Sequence, residues 1–485
     1  MASYIVDSSQ VLSATTGADS VWLQSGGHSS TIYGLAGNDT ITVDQVNNNS
    51  SIGSLIYTND GADSIDIESA SFSAAGIEVR AGASSDTVSI SGGGIALLNT
   101  NEDNDLISVS GVATISAATF STGADSLFME SGRIDQLGLG NGHDIFTGGS
   151  VEALTGGVIK LGDGRDTISI TSLTGASAIN LFGDNGSNAN SDVIDLSTET
   201  GMNGFVVKGR GGSDTITISG LQASSLVQGN DGADSITLSG GDGAGLAAGV
   251  EVGGGKGDDT IFMENGSGAF AASTSGDIFG GAGNDSIYIV DVALSGGDAT
   301  ALNINGGAGA DTITFDSVMS GFGGYEVASL NMSSLSDSTL TAMDLVVALS
   351  GGAALSTTSG VALFTVDFGN SATISAVGAT SAAADFDNAT AYATIDASGV
   401  VTFNGDLATD VQSSVTAAME AVDTLTFNNN GAGAAAYFVV GGEDYLFMQG
   451  GSEGTADDSI MKFSAGSAGG LATQGSAVVF SFSGT

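Results

Sequence analysis

Aspartate is the residue type whose spacing in this chain indicates chemistry. Glycine precedes most of the recurring aspartates by two places, as in the turns at 254–259, 280–285 and 306–311. Glycine permits the positive φ angles that turn carbonyl oxygens toward one point, and the aspartate adds an anionic oxygen there. Calcium takes about six to eight oxygens of both kinds, so the pattern predicts bound calcium. The fourteen recurring aspartates, spaced by 19 to 26 residues, are Asp19, Asp39, Asp63, Asp86, Asp105, Asp125, Asp144, Asp166, Asp192, Asp214, Asp234, Asp259, Asp285 and Asp311.

Oxygen-bearing side chains three places before a recurring aspartate extend the predicted set of calcium ligands. The turns at Asp86, Asp105 and Asp192 lack the glycine two places before the aspartate and stand outside the set. The alternative is that each aspartate only accepts hydrogen bonds from backbone N–H groups of its own turn. The predicted ligands are Asp39, Asp60, Asp63, Asn141, Asp144, Asp163, Asp166, Asp214, Asp231, Asp234, Asp259, Asp285 and Asp311.

Apolar residues at fixed distances from each aspartate predict the elements that position it. The residue two places after every recurring aspartate is apolar, and an apolar residue lies seven places before thirteen of them. In the segment 32–43, alternation predicts that Ile41 and Val43 face inward and that Thr40 and Thr42 face outward. A repeat of this length cannot bury its own apolar face, so stacked repeats are expected to form a solenoid.

The sequence predicts a mainly all-β protein with two domains. Residues 1–318 are expected to form a right-handed parallel β-roll or β-helix of about fourteen coils, with a loop extruded at 183–191. Residues 319–485 are expected to form a β-sandwich-like domain with one or two helices, because the aspartate spacing stops after Phe315.

Two helices are predicted in the C-terminal region, at 338–349 and at 407–422. The second has apolar residues on one face and Asp406 or Thr409 as its N-cap. Short strands between glycine, asparagine and serine turns are predicted at 361–368, 393–403, 424–427, 437–440, 445–449, 459–463 and 477–482.

The composition restricts the possible functions. The chain has 54 acidic residues against 8 Lys and Arg, a formal charge of −46. Such self-repulsion calls for bound cations, and it excludes nucleic acid because no basic surface can replace phosphate counter-ions. Cysteine is absent and histidine occurs twice. The usual catalytic constellations cannot be assembled from these residues, so we expect no enzyme activity.

The N-terminal segment MASYIVDSSQ lacks the basic and apolar stretches of a secretory signal. No stretch of 18 apolar residues could span a membrane. The chain is therefore expected either to stay in the cytosol or to leave the cell by a route that reads no N-terminal signal.

The aspartate turns resemble the repeats-in-toxin family, whose Gly-Gly-x-Gly-x-Asp-x-apolar-x repeat builds a calcium-binding parallel β-roll. The resemblance covers residues 12–315 and is strongest at 254–259, 280–285 and 306–311. Family members carry the motif about every nine residues on both edges of the roll. Here it occurs once per coil, so the resemblance implies calcium on one edge.

A second resemblance lies near the C-terminus. Segments 442–448 and 457–463 are similar to the terminal region of type I secreted surface-layer and adhesin-like proteins. This implies export by an uncleaved C-terminal signal and a place outside the cell, at its surface.

Together these patterns favour a self-assembling surface-layer subunit that binds several calcium ions. Its expected partners are copies of itself and, in addition, cell-surface polysaccharide. An adhesin or a matrix-filament subunit is the main alternative, and an ice-binding or polysaccharide-acting solenoid is a remote one. Only three outward pairs are Thr/Thr, at Thr40, Thr215 and Thr312 with their neighbours two places on, so a flat ice-binding face is not expected.

Overall fold

Strands dominate the fold, which is a computed structural model of the 485-residue chain. The chain divides into two compact units, Met1–Gly220 with Ser225–Asp231, and Leu221–Ser224 with Gly232–Thr485. The predicted boundary near residue 318 falls inside the second unit and stays a prediction. The structure describes residues 2–7, 10–24, 30–44, 54–68, 76–111, 113–152, 156–174, 178–185, 190–197, 204–221, 224–239, 250–264, 270–271, 277–290, 294–295, 302–316, 328–331, 344–349, 361–367, 375–376, 392–396, 399–404, 408, 411, 414–429, 434–450, 458–464, 468–474 and 477–483.

Parallel strands in two alternating sets make up the first unit. Its strands are β1 (Ser3–Val6), β2 (Val11–Ser13), β3 (Ser20–Leu23), β4 (Thr31–Tyr33), β5 (Thr40–Asp44), β6 (Leu55–Tyr57), β7 (Ser64–Glu68), β8 (Ile77–Arg80), β9 (Thr87–Ile90), β10 (Gly94–Glu102), β11 (Leu106–Val109), β12 (Thr114–Ile115), β13 (Ala118–Thr122), β14 (Ser126–Ile134), β15 (Gln136–Asn141), β16 (Ile145–Glu152), β17 (Val158–Asp163), β18 (Thr167–Thr174), β19 (Asn180–Phe182), β20 (Val193–Leu196), β21 (Val206–Gly211), β22 (Thr215–Ser219) and β23 (Leu226–Asp231).

One set, which we call the aspartate lane, consists of the strands that start directly after the recurring aspartates and of the strands that pair in line with them, such as β1. In this unit it pairs in the order β1, β3, β5, β7, β9, β11, β14, β16, β18, β20 and β22. The other set, the opposite lane, pairs in the order β2, β4, β6, β8, β10, β13, β15, β17, β19, β21 and β23. This stacking of coils in register confirms the predicted parallel β-solenoid.

Inward side chains of both lanes form the solenoid core. Ile41 and Val43 of the aspartate lane and Ile32 of the opposite lane are fully buried, whereas Thr40 is exposed. The predicted alternation is therefore confirmed. Equivalent apolar residues of successive coils lie side by side, as Ile41 does beside Ile65, so each coil covers the apolar face of its neighbour.

The second unit contains further solenoid strands and a C-terminal sheet with a helix. Its strands are β24 (Ser235–Ser239), β25 (Glu251–Lys256), β26 (Thr260–Glu264), β27 (Phe270–Ala271), β28 (Asp277–Ala282), β29 (Ser286–Val290), β30 (Leu294–Ser295), β31 (Leu302–Ala308), β32 (Thr312–Asp316), β33 (Ala328–Asn331), β34 (Asp344–Leu349), β35 (Val361–Asp367), β36 (Ser375–Ala376), β37 (Tyr392–Ile395), β38 (Val401–Asn404), β39 (Ala434–Val440), β40 (Glu443–Met448), β41 (Ser459–Ser464), β42 (Ala468–Gln474) and β43 (Ala477–Ser483), and its helix is α1 (Val415–Asn429).

Strand pairing changes from parallel to antiparallel within this unit. The aspartate lane runs β24, β26, β29, β32, β34 and β41, and the opposite lane runs β25, β28, β31, β33 and β35, all parallel. Antiparallel pairs then join β39 to β40, β40 to β41, β35 to β43 and β42 to β43. Helix α1 packs on this sheet, where Met419 and Val422 share a buried cluster with Phe438 and Phe447.

Several predicted C-terminal elements are wrong. Residues 344–349 of the predicted first helix form β34, because Val346 and Val347 suit the parallel sheet that they join beside β32. Helix α1 begins at Val415, inside the predicted second helix 407–422, and runs through the predicted strand 424–427. Ala408, near the predicted start, is helical as well. The N-cap of α1 is Ser414, whose Oγ accepts the N–H of Ala417 at 3.2 Å. Asp406 and Thr409 lie outside the described residues.

The remaining predicted strands differ less from the structure. The segment 393–403 is a hairpin of β37 and β38 rather than one strand, and β42 was not predicted. The predictions at 361–368, 437–440, 445–449, 459–463 and 477–482 are confirmed as parts of β35, β39, β40, β41 and β43. In the described part of the chain, none of the helices combines the length and the apolar character needed to cross a membrane.

Candidate metal centre

The recurring aspartates are buried and bonded to one another through the backbone. Oδ1 of Asp285 accepts the N–H of Asp259 at 2.8 Å, and the N–H of Asp285 donates to Oδ1 of Asp311 at 2.8 Å. We call this arrangement the aspartate ladder. Its bonds measure 2.7–2.9 Å from Asp19 to Asp214 in the first unit and from Asp234 to Asp311 in the second.

The ladder differs from the alternative in which each aspartate accepts hydrogen bonds only within its own turn. Each Oδ1 bonds a backbone N–H of the preceding coil, not of its own turn. Asp86, Asp105 and Asp192 make the same bond although they lack the glycine two places before. The glycine at that place is therefore not required for the ladder.

The second carboxylate oxygen has no hydrogen bond along much of the ladder. Oδ2 is buried and without a hydrogen-bond partner in Asp39, Asp86, Asp125, Asp144, Asp166, Asp192, Asp259 and Asp285. A buried carboxylate oxygen with nothing to bond is costly, because it has lost its water and gained no partner. Either a cation or a proton must compensate it.

The glycine five places before the aspartate places this oxygen beside a carbonyl oxygen of the next coil. A Cβ at Gly280 would stand 2.5 Å from Oδ2 of Asp285 and 2.2 Å from the carbonyl oxygen of Gly306. A Cβ at Gly254 would stand 2.4 Å from Oδ2 of Asp259 and 2.5 Å from the carbonyl oxygen of Gly280. Both oxygens lie close to one point, so they are within about 5 Å of each other. Calcium–oxygen bonds are about 2.3–2.6 Å long, so one calcium ion can bridge two oxygens at that separation.

Asp192, which stands outside the predicted ligand set, has the same surroundings. A Cβ at Gly183 would stand 2.5 Å from its Oδ2 and 2.3 Å from the carbonyl oxygen of Gly209. The sequence analysis left it out because Asn190, not glycine, stands two places before it. The signal in the sequence was the glycine after Phe182, at the end of an opposite-lane strand.

Bulky residues replace this glycine in the middle of the first unit. Buried Leu139 and Leu161 occupy the place five residues before the predicted ligands Asp144 and Asp166. The coils with glycine at that place therefore offer the better surroundings for a cation. Among the predicted ladder ligands these are Asp39, Asp214, Asp234, Asp259, Asp285 and Asp311.

Burial changes the acidity of the ladder carboxyl groups. It raises the pKa of Asp86, Asp144 and Asp192 to about 8, with the charges of neighbouring ladder aspartates adding to the rise. The first rung differs, since hydrogen bonds from Thr15 and from the N–H of Ala2 lower the pKa of Asp19. Without a cation, Asp86, Asp144 and Asp192 would hold protons near neutral pH.

The four additional predicted ligands lie in different surroundings. Asp60 and Asn141 are exposed, and Asp231 is half-buried. Asp163 is half-buried and its Oδ1 is buried without a hydrogen-bond partner. Buried Asp184, which the sequence analysis missed, lies near it: burial raises the pKa of Asp184 to about 6, and the charge of Asp163 contributes to the rise.

A second row of hydrogen bonds flanks the ladder on its exposed side. Oδ1 of Asp258 accepts the N–H of Asn284 at 2.7 Å, and Oδ1 of Asn284 accepts the N–H of Ala310 at 2.9 Å. His143 occupies the same place and accepts the N–H of Arg165. In this row each N–H donates to a side chain of the preceding coil, whereas in the ladder each N–H donates to a side chain of the following coil. The accepting side chains stand one place before a recurring aspartate.

The fold and the ladder define a class, a parallel β-solenoid with a row of buried carboxylates along one edge. Within the described residues, no cluster of three or more Asp, Glu, His or Cys side chains could hold a metal ion. Calcium would therefore take most of its ligands from backbone carbonyls, which it accepts readily.

The chain matches no protein family model and no curated protein. Among solved structures, it is similar to a hyperactive, Ca²⁺-dependent, β-helical antifreeze protein from an Antarctic bacterium. The sequence identity is 17% and the TM-score 0.37, over 72% of this chain and 83% of that chain. A likeness of this degree establishes nothing about what this chain binds.

Proposed function

We propose that this protein is an extracellular, calcium-stabilised structural protein that assembles with copies of itself into a surface layer. The observation that carries the proposal is the pair of oxygens beside Gly183, Gly254 and Gly280, one from a buried carboxylate and one from the next coil. Calcium supplies the positive charge that compensates these buried carboxylates. Calcium sites of extracellular modules bind at about 10⁻⁴ to 10⁻³ M, so calcium outside a cell can fill them.

The charge of the chain supports a role for calcium in assembly as well as in folding. Ions that bind only the folded coils stabilise them by mass action. They also reduce the net charge of −46, which otherwise keeps copies of the protein apart. We therefore propose that calcium both stabilises the folded coils and promotes assembly.

The resemblance to repeats-in-toxin proteins and to type I secreted surface-layer proteins supports the location outside the cell. It also supports a structural role, and the absence of cysteine together with only two histidines favours a role without catalysis. Cell-surface polysaccharide is the second partner that this role would require, as the anchor of the layer.

An adhesin or a matrix filament is the first alternative, because a calcium-stabilised solenoid suits it equally. Ice binding is the second. Exposed Thr215 and half-buried Thr217 on β22 favour it, whereas Leu106, Phe128 and Ile145, all at least 41% exposed, interrupt the same face of the aspartate lane. The surface-layer proposal therefore takes precedence.

Assembly distinguishes these functions. Purified protein would be titrated with calcium chloride, or with sodium chloride at equal ionic strength, and followed by light scattering and electron microscopy. The proposal expects two-dimensional lattices with calcium alone. Fibres would favour the filament, and thermal hysteresis without assembly would favour ice binding. Equal association in sodium chloride would contradict a specific role for calcium.

A further inference from the structure

A groove on the outer face of the opposite lane combines groups that recognise acidic sugars. It has a volume of about 680 Å³ and lies across β19, β21 and β23 of the first unit. It is lined by Asn180, Phe182, Val206, Lys208, Arg210, Leu226, Asn230 and Asp231. We propose that this groove binds a segment of an acidic polysaccharide, with uronate carboxylates as the charged groups.

Cations are concentrated around this groove. The chain has only 8 Lys and Arg residues, and three of them, Lys160, Lys208 and Arg210, lie on neighbouring coils here. Lys160 and Lys208 flank Phe182 in the strand register. Among the described residues, no acidic side chain forms an ion pair with Lys208 or Arg210, so both charges are available to a ligand.

Arg210 occupies a backbone position that other coils give to glycine. Its φ is +83°, and the equivalent Gly162, Gly255 and Gly281 have φ of +113°, +125° and +123°. Arginine is strained in this region, whereas Asn230 in the next coil is of a type that tolerates it. A strained residue of this kind persists only where the surroundings or a function require it.

The guanidinium group of Arg210 lies over an aromatic ring. The Cζ atom of Arg210 lies 4.3 Å from the ring centroid of Phe182, and Nη1 donates to the carbonyl oxygen of Asp184 at 2.8 Å. The cation–π contact and the hydrogen bond hold the side chain in one orientation before any ligand arrives. A fixed fork of N–H donors suits a carboxylate.

The rest of the groove suits the remainder of a sugar ring. Half-buried Phe182, Val206 and Leu226 offer apolar surface to its C–H groups, while the amides of Asn180 and Asn230 offer partners to its hydroxyl groups. Half-buried Asp231 also lines the groove, where its carboxylate can accept a hydrogen bond from a sugar hydroxyl group. This mixture of cations, amides and apolar surface suits an acidic sugar.

The same strain in another coil provides a matched control. Leu35 has a φ of +80° and is 38% exposed, but it lies in a different coil and carries no charge. Arg210→Gly and Leu35→Gly both relieve a strained position, so neither should prevent folding, which melting curves would verify. Only Arg210→Gly removes a charge from the groove.

The test is isothermal titration of the full chain at fixed free calcium with a short galacturonate oligomer, and with a neutral glucose oligomer of equal length. We expect the acidic oligomer to bind the native protein and the Leu35→Gly variant alike, and at least about tenfold more weakly to Arg210→Gly. Binding should weaken at high sodium chloride. The neutral oligomer should not bind.

Three results would overturn the proposal: no binding of the acidic oligomer, unchanged binding by Arg210→Gly, or equal binding of the neutral oligomer. If the acidic oligomer does not bind but Arg210→Gly alters calcium-dependent light scattering, the groove is a contact between copies. The inference depends on the groove alone and does not require the proposed surface layer, so each can fail separately.

Discussion

The backbone N–H of Asp259 donates to Oδ1 of Asp285, 26 residues later, at 2.8 Å. A buried carboxylate thus satisfies a donor in the preceding coil and leaves its other oxygen for a different partner.

Replacing a ladder aspartate by asparagine removes the negative charge but keeps the hydrogen-bond acceptor. The change should have opposite effects on the melting temperature with and without calcium. In Asp285→Asn, Oδ1 can still accept the N–H of Asp259, but the anionic ligand is lost. We expect fewer or weaker calcium sites by calorimetric titration and a lower melting temperature in calcium. In calcium-free buffer the variant should melt at a higher temperature than the native protein, because a buried charge without compensation has been removed.

Asp258→Asn is the matched control for that variant. Asp258 is exposed, and its Oδ1 accepts the N–H of Asn284, so the substitution again removes one charge and keeps one acceptor. It should change neither the number of bound ions nor the melting temperature noticeably. Identical behaviour of the two variants would show that the ladder oxygen is no calcium ligand.

Calcium removal should destabilise the solenoid. In the proposed function, calcium ions compensate buried carboxylates in many coils, so chelation should lower the melting temperature and the strand signal in circular dichroism. Magnesium at the same concentration should restore less, because it demands shorter bonds and a stricter geometry. A solenoid that melts at the same temperature in chelator and in calcium would disprove the role of the ion.

The calcium-free protein should become more stable as the pH falls. Burial raises the pKa of Asp86 and Asp144 to about 8 and that of Asp285 to about 7, above the value of an unfolded chain. A raised pKa means that the folded state binds the proton more tightly, so its stabilising effect is full at low pH and is lost as the pH rises through about 7 to 8. The melting temperature of calcium-depleted protein should therefore rise as the pH is lowered from 8 to 5.

Bound calcium should reverse this trend, since protons compete with the ion for the same oxygens. Asp144→Asn should flatten the rise seen in the calcium-depleted protein, because one of the raised carboxyl groups is gone. A melting temperature that falls on acidification in both forms would contradict the assigned pKa changes.

Filling the space beside the ladder should be costly. In Gly280→Ala the new methyl group would stand 2.5 Å from Oδ2 of Asp285 and 2.2 Å from the carbonyl oxygen of Gly306. We expect a loss of about 1–3 kcal/mol in free energy of unfolding, together with weaker calcium binding. At Gly138 a Cβ would meet nothing within 4 Å, so Gly138→Ala should stay within about 0.5 kcal/mol. Denaturant titration of both variants would measure the difference.

The C-terminal sheet depends on one buried amide. Nε2 of Gln449 donates to Oδ1 of Asp423 at 2.8 Å and to Oδ1 of Asp458 at 3.0 Å, while its Oε1 accepts the hydroxyl of Thr426. Gln449→Leu should cost about 2–5 kcal/mol, because two buried carboxylates lose a donor. The exposed Gln136 provides the control: Gln136→Leu should have little effect. Equal melting temperatures of the two variants would show that the carboxylates do not need the amide.

Local patterns in the sequence predicted the strands and the buried aspartates, because alternation and turn residues act over a few neighbours. Bonds between coils depend on register over 19 to 26 residues, and no local pattern reports them. No local pattern could therefore predict the bond from Asp259 to Asp285, the surroundings of Asp192 or the orientation of Arg210 over Phe182.

The C-terminal errors have a similar cause. A window around 338–349 reads as a helix, yet its β-branched residues pair with β32, so the tertiary environment overrides local propensity. The N-cap of α1, Ser414, was not predicted, since several residues near it can serve as caps and packing on the sheet selects among them.

The ladder keeps its bond lengths of 2.7–2.9 Å although the segment between successive rungs varies from 19 to 26 residues. The length variation must therefore be absorbed elsewhere in the coil, away from the aspartate. Peptides inserted there should leave every rung intact, and whole coils could be added or removed without altering the chemistry of those that remain. The solenoid can thus serve as a display scaffold, presenting inserted sequences at intervals of about 4.8 Å along its length.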